Sequence, residues 1–291
     1  MTPRQASRRT PHDARSADLL GLRVRFIDVA PRGSEHGPPL LLLHGHASRI
    51  EEYDALVPHL HEGRRVIVLD LPGCGQSDKP ADTAYTLELY QDVSLALLDH
   101  LRLHEADAAG GSLGGNLTLR LGARAPERFR RLAAWAPAGA WTPMKRWQLV
   151  ATFMRRVPAL FWPAIWIQSR FWYSRDWHGR EEALADAFRY YREAWGPGFF
   201  RMYWDVGHDQ ARTSLFDVVD RIRQPVFLGW GDRDHALGMG EGVKRLHAML
   251  PGSRLHVFPR ASHSLANERT EELAREVRTF LGDAVARHEA R

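Results

Sequence analysis

The chain has 291 residues, 44% hydrophobic and 26% charged, close to the average of soluble globular proteins; it can bury a substantial core, and disorder, collagen and coiled coil are excluded. Cys74 is the only cysteine, which rules out a disulfide-stapled scaffold and points to a reducing compartment, the cytoplasm. The net charge of +5 comes from 40 basic residues, all arginine except Lys79, Lys145 and Lys244. They are interleaved with 35 acidic residues instead of gathered into a stripe, which argues against nucleic acid as a partner.

Residues 1–18 carry Arg4, Arg8, Arg9 and Arg15 and no apolar run that could serve as a signal-peptide core, so they read as a flexible basic tail. Leu22 to Val29 reads as a strand, followed by a turn cluster and the apolar run Leu40 to Leu43, which stops at His44-Gly45-His46. Arg65 to Leu69 is a second such run and ends in the glycine-punctuated loop Asp70 to Gly75. Leu87, Tyr90, Leu95, Leu98 and Leu101 recur at helical spacing, which predicts an amphipathic helix over Leu87 to Leu103. A strand of small residues, Ala106 to Ala109, then runs into Gly110-Gly111-Ser112-Leu113-Gly114-Gly115 and a helix through Ala125.

Leu132 to Trp135, Pro225 to Trp230 and Leu255 to Phe258 are further buried strands, and Glu268 to His288 is a closing helix with Leu273, Val277 and Leu281 on one face. No stretch reaches the roughly 18 apolar residues of a membrane span. Strands alternating with helices predict an α/β fold, a mostly parallel central sheet with helices on both faces. Nine of the ten tryptophans fall between Trp135 and Trp204. Residues 141–215 therefore read as a helical lid inserted above the carboxyl edge of the sheet, dividing the core into 19–140 and 216–291.

A serine hydroxyl becomes a nucleophile when a base takes its proton and a turn holds its oxygen clear of the fold. A G-x-S-x-G turn between strand and helix meets the second condition, and Gly110 to Gly114 supplies it around Ser112. Alone the motif is a modest signal. Two later segments raise its weight: Gly231-Asp232-Arg233-Asp234 follows one strand, and Ala261-Ser262-His263-Ser264 follows the next. The order Ser, Asp, His, each just past the carboxyl end of a strand, is that of the nucleophile-elbow hydrolases.

With these motifs the chain resembles the α/β-hydrolase superfamily, in particular its lid-bearing serine esterases, from Leu22 to about Leu281. The resemblance implies Ser112 as nucleophile, His263 as base and Asp234 as the acid that orients it, with Asp232 as the fallback. It also implies an oxyanion hole from the backbone N–H groups of His46 and Leu113, the His46 side chain meeting the lid or solvent. Serine at the elbow, where haloalkane dehalogenases and epoxide hydrolases carry aspartate, favours acyl chemistry. The expected activity is that of a carboxylesterase-like serine hydrolase acting on a small-molecule acyl substrate with an apolar body, with no metal and no organic cofactor. The same triad serves carbon-carbon bond hydrolases, of which Ala136-Pro137-Ala138-Gly139 is reminiscent, and acyltransferases. A ligand-binding receptor on the same fold is the reading from another class. Cys74 reads as a small apolar filler.

Within the lid, Trp147, Val150, Met154, Val157 and Phe161 follow the spacing of one apolar helix face. Three readings coexist: a lid packed on the core, a pocket roof with Trp141, Trp162 and Trp166 against the substrate, and a weak contact with a membrane surface through Phe161 to Trp177.

Overall fold

The computed structural model describes residues 8–143, 145–235 and 239–282. Eight strands form one sheet: β1 (Ala14–Leu19), β2 (Leu22–Val29), β3 (Leu40–Leu43), β4 (Val66–Leu69), β5 (Ala106–Gly111), β6 (Phe129–Trp135), β7 (Val226–Gly231) and β8 (Arg254–Phe258). Their order is β1-β2-β4-β3-β5-β6-β7-β8. The β1/β2 and β2/β4 pairs are antiparallel and all the others parallel.

The central strands read as unbroken apolar runs because both faces of the sheet are covered. Leu41, Leu43, Ile67 and Leu69 point into one core and their neighbours Leu40, Leu42, Val66 and Val68 into the other. Each fully buried leucine contributes about 1.5–3 kcal/mol to this arrangement. The helices that do the covering are α1 (Val57–Leu60), α2 (Leu87–His100), α3 (Leu113–Arg124), α8 (Met239–Met249), α9 (Leu265–Glu268) and α10 (Thr270–Leu281). Thr86 starts α2 by accepting the Leu89 N–H on its side chain at 3.0 Å. The closing helix stops at Gly282, whose φ of 82° ends it in the left-handed conformation. The predicted extension to His288 lies outside the described residues.

The basic tail ends earlier than expected. Ala14–Leu19 is a strand, joined to β2 by the two-residue turn Leu20-Gly21, with φ of 57° and 77°. Positive φ at both central residues is the turn that matches the twist of a hairpin. The arginines concealed this alternation: Ala17 and Leu19 are buried, while Arg15 faces outward and pairs with Asp28 on β2.

Between β6 and β7 the chain leaves the sheet and forms α4 (Lys145–Met154), α5 (Phe161–Gln168), α6 (Arg180–Ala194) and α7 (Pro197–Arg212). The single apolar helix face predicted from Trp147 to Phe161 is not formed. Val157, at φ −128° and ψ 74°, leaves the helical region ahead of Pro158, whose ring disfavours helix in the residue before it, and the α-helix restarts at Phe161. Ala151, Phe161 and Ile165 point inward instead, and Trp147 and Val150 stay exposed. Two sets of contacts hold these helices down. Arg49 pairs with Asp186 of α6 at 2.7 Å and lies over the Tyr190 ring, while the Tyr190 hydroxyl accepts from the Gly75 N–H and donates to the Ser48 carbonyl. On the other side, the Ser264 N–H donates to the Trp172 carbonyl at 3.1 Å, the Ser262 hydroxyl to the Phe171 carbonyl and the Ser174 hydroxyl to the Arg260 carbonyl, both at 3.2 Å.

Candidate active site

Parallel register brings the site together. Leu43 at the end of β3 stands opposite Gly110 of β5, and Gly231 at the end of β7 stands opposite Phe258 of β8. The turn His44-Gly45-His46 therefore emerges beside Ser112, and the Asp234 loop beside the His263 loop.

Ser112 sits between β5 and α3 with φ 54° and ψ −117°, a conformation that costs a side-chain-bearing residue about 1–3 kcal/mol. The surroundings hold it there. The Ser112 N–H donates to the Trp135 carbonyl, and the Ser112 carbonyl accepts from the N–H groups of Asn116 and Ala138, all at 3.0 Å. Gly110 and Gly114 are required by close approach, since a Cβ on either would collide with the Leu43 carbonyl. Tyr53 braces the same elbow from beneath, its hydroxyl donating to the Leu43 carbonyl at 2.8 Å and accepting the Gly111 N–H at 3.1 Å.

His263 Nδ1 lies 2.7 Å from Oδ2 of the buried Asp234. Asp232 is exposed, and its N–H is engaged with the Phe258 carbonyl. Geometry thus separates the two aspartates. Burial pushes the His263 imidazole down, but Asp234, and with it Glu52 and Glu268, outweighs that effect and leaves its pKa above the ordinary histidine value. Glu268 accepts the Ser262 and Ser174 N–H groups and so fixes the loop on which His263 rides; burial raises its own pKa. No hydrogen bond joins the Ser112 hydroxyl to His263 among the described residues, and such bonds commonly close only around a substrate. Both side chains line one cavity of about 630 Å³.

Leu113 is the first residue of α3, so its N–H has no acceptor within the helix. His46 lines the cavity, and its ring stacks on Tyr203 of α7 at 4.7 Å. Of the two expected surroundings, lid or solvent, the side chain meets neither open solvent nor the sheet but Tyr203, in the segment between β6 and β7 that the sequence reads as a lid. Burial pushes its pKa down to about 4, so the ring is neutral. Further back, His44 accepts the Leu71 N–H on Nε2 at 3.0 Å and pins the turn to the loop after β4.

The lining of the cavity differs in part from the expected roof. Trp141 lines the cavity, whereas Trp162 packs between Phe161 and Trp195, and Trp166 faces outward under the Arg170 guanidinium. Their places are taken by Trp147, Trp172 and Trp204, with Tyr191 and Tyr203. Trp162 and Trp166 both lie on α5, which turns Ala164 and Ile167 to the cavity instead.

A family model described as alpha/beta hydrolase fold matches residues 38–269. The chain belongs to this family. Across it, the chain is 27% identical over 298 residues to a 2-hydroxymuconate semialdehyde hydrolase of Pseudomonas putida, covering 97% of this chain and 99% of the relative. It is 25% identical over 257 residues to the uncharacterized hydrolase YugF of Bacillus subtilis, covering 83% and 89%. Among solved structures the enol-lactonase of Burkholderia xenovorans LB400 superposes with a TM-score of 0.79 at 22% identity, over 92% of this chain and all of that one.

Against the family's α/β framework, one acidic residue stands out that motif reading passed over. Glu52 is half-buried, accepts the Gly45 N–H on Oε2 at 2.9 Å, and contributes to the raised pKa of His263. The Glu51-Glu52-Tyr53 run carries no motif; only the return of its short helical turn to the β3 loop brings Glu52 and Tyr53 to the elbow. Among the described residues no cluster of three or more histidine, cysteine or acidic side chains is arranged to hold a metal, and no helix is long and apolar enough to cross a membrane. Cys74 is buried with its Sγ 3.9 Å from Met202 Sδ, and burial pushes its thiol pKa up.

Proposed function

We propose that the protein is a serine hydrolase that cleaves a carboxylic ester, or a similar acyl bond, of a substrate with an apolar body. The observation that carries this reading is the 2.7 Å His263–Asp234 pair in one cavity with a serine at a strained strand-to-helix turn. Ser112 Oγ attacks the carbonyl carbon while His263 takes its proton, and the tetrahedral oxyanion is held by the N–H groups of Leu113 and His46. Collapse expels the alcohol, which leaves with the proton from His263. Water, deprotonated by His263, then releases the acid and restores the serine; no step calls on a cofactor. Labelling with fluorophosphonates of graded chain length, read by mass spectrometry, tests the assignment. A modified peptide lacking Ser112 would remove the nucleophile from this reading.

A second reading rests on the near full-length match to a 2-hydroxymuconate semialdehyde hydrolase and on the Ala136-Pro137-Ala138-Gly139 segment. Here the same residues would cleave a carbon-carbon bond next to a ketone. Comparison of kcat/KM for a ring-cleavage product and for an aryl ester of equal size decides between them.

Two consequences follow for measurement. Turnover needs neutral His263, so activity rises as pH passes upward through its pKa; removing the Glu52 charge lowers that pKa. Glu52→Gln keeps an acceptor for Gly45 and should move the acid limb of the kcat/KM profile to lower pH, while an unmoved limb would show that Glu52 does not act on His263. The aromatic roof should act on substrate size. Trp141→Ala or Trp204→Ala should cost about 1–3 kcal/mol in kcat/KM for a bulky aromatic ester and little for an acetate. Equal losses on both esters in folded protein would make these residues packing alone.

A further inference from the structure

Of the twelve large apolar side chains exposed among the described residues, nine lie between Trp147 and Trp195, on the lid. The outward face of α4 presents Leu149, 71% exposed, and Phe153, 56% exposed, one helical turn apart. The outward face of α5 presents Trp166 and Ile167, each 55% exposed. Both helices also border the cavity: Trp147 and Ala151 on α4 and Ala164 and Ile167 on α5 are part of its wall. Trp147 and Ile167 are thus at once wall and surface, so apolar surface runs from the outside of the lid to the rim of the cavity.

The charges along this segment are mostly basic. Residues 141–178 contain six basic residues and a single carboxylate, Asp176, which Arg233 already holds through both oxygens at 2.7 Å. Of the six, Arg155 is paired with Asp205 at 3.1 Å. Lys145, Arg146, Arg156, Arg170 and Arg175 stand exposed. Arg146 and Arg156 flank Leu149 and Phe153 along the chain, and the Arg170 guanidinium lies 3.8 Å from the centre of the Trp166 ring. Helices with aromatic and aliphatic residues outward and arginines at the margins settle at the headgroup boundary of anionic bilayers. A second copy of the chain is a poorer occupant, because a symmetric contact sets each basic margin against its own like charge.

We propose that the outer face of α4 and α5 docks on an anionic lipid surface and so brings the cavity rim to the membrane plane. Arginines attract the headgroups, and Leu149, Phe153, Trp166 and Ile167 enter the boundary region.

The test is sedimentation of the full chain with vesicles of equimolar phosphatidylcholine and phosphatidylglycerol, with pure phosphatidylcholine in parallel. The protein should pellet with the mixed vesicles, stay in solution with the zwitterionic ones, and be released at about 1 M salt, where the screening length falls to about 3 Å. Leu149→Asp with Phe153→Asp should abolish pelleting with unchanged thermal unfolding. Arg146→Gln and Arg156→Gln, surface changes that spare the fold, should each weaken binding about fivefold. No pelleting with mixed vesicles, equal pelleting with both kinds, or binding indifferent to the two arginine changes would overturn the proposal. So would a concentration-dependent dimer in sedimentation velocity that dissolves on introduction of the two aspartates.

Discussion

Ser112→Ala should abolish ester turnover, with a loss on the order of 10⁶ in kcat if the serine works as a unit with His263. The fold should survive, because the strain at this position belongs to the backbone and is held by the bonds to Trp135, Asn116 and Ala138. Alanine already takes a positive φ in this chain, at Ala47 and Ala136 with φ of 52° and 42°. Hydrolysis and thermal unfolding are to be measured on the same preparation, with fluorophosphonate labelling as a third readout. Undiminished hydrolysis in the folded variant would end the assignment of Ser112 as nucleophile.

The second large effect is expected at the acid. Asp234→Asn leaves a side chain of the same shape beside His263, but an amide can present its N–H to Nδ1 and favour the tautomer with no lone pair available on Nε2. A loss on the order of 10⁴ in kcat is expected. Asp232→Asn, two positions earlier and solvent-exposed, should cost far less. Both variants keep the backbone bonds of the loop, Asp232 N–H to the Phe258 carbonyl and Asp234 N–H to the Gly231 carbonyl, so a difference in rate is not a difference in folding. A reversed ranking would move the role to Asp232 and contradict the 2.7 Å pair.

The sheet was legible in the sequence because its central strands are buried on both faces and therefore unbroken apolar runs between glycine-rich loops. The residues at the strand ends were legible for the same reason: each falls where such a run stops. Glu52 and Tyr53 were not, since their value to the elbow comes from a turn that folds back onto β3 and leaves no periodic trace. The edge strand Ala14–Leu19 was hidden by exposed arginines that suit an edge but look like a tail. Between β6 and β7 the spacing from Trp147 to Phe161 was helical as far as Met154, and the helix ends before Pro158. Which tryptophans face the cavity is set by how each helix packs, which composition does not show: Trp141 lines it, while Trp162 and Trp166 on α5 do not.

The hydrogen bonds from Ser262 and Ser264 to the Phe171 and Trp172 carbonyls tie the loop of His263 to the segment between β6 and β7 on either side of the histidine itself. That segment is consequently not an interchangeable module. A replacement for it would bring its own cavity lining, but it would also have to offer carbonyls at the places of Phe171 and Trp172, or the His263 loop would lose these bonds. If His263 is the base proposed above, the cavity lining and the alignment of that histidine are thus coupled, and a change made through this segment would call for compensating changes in the Ala261–Asn267 loop.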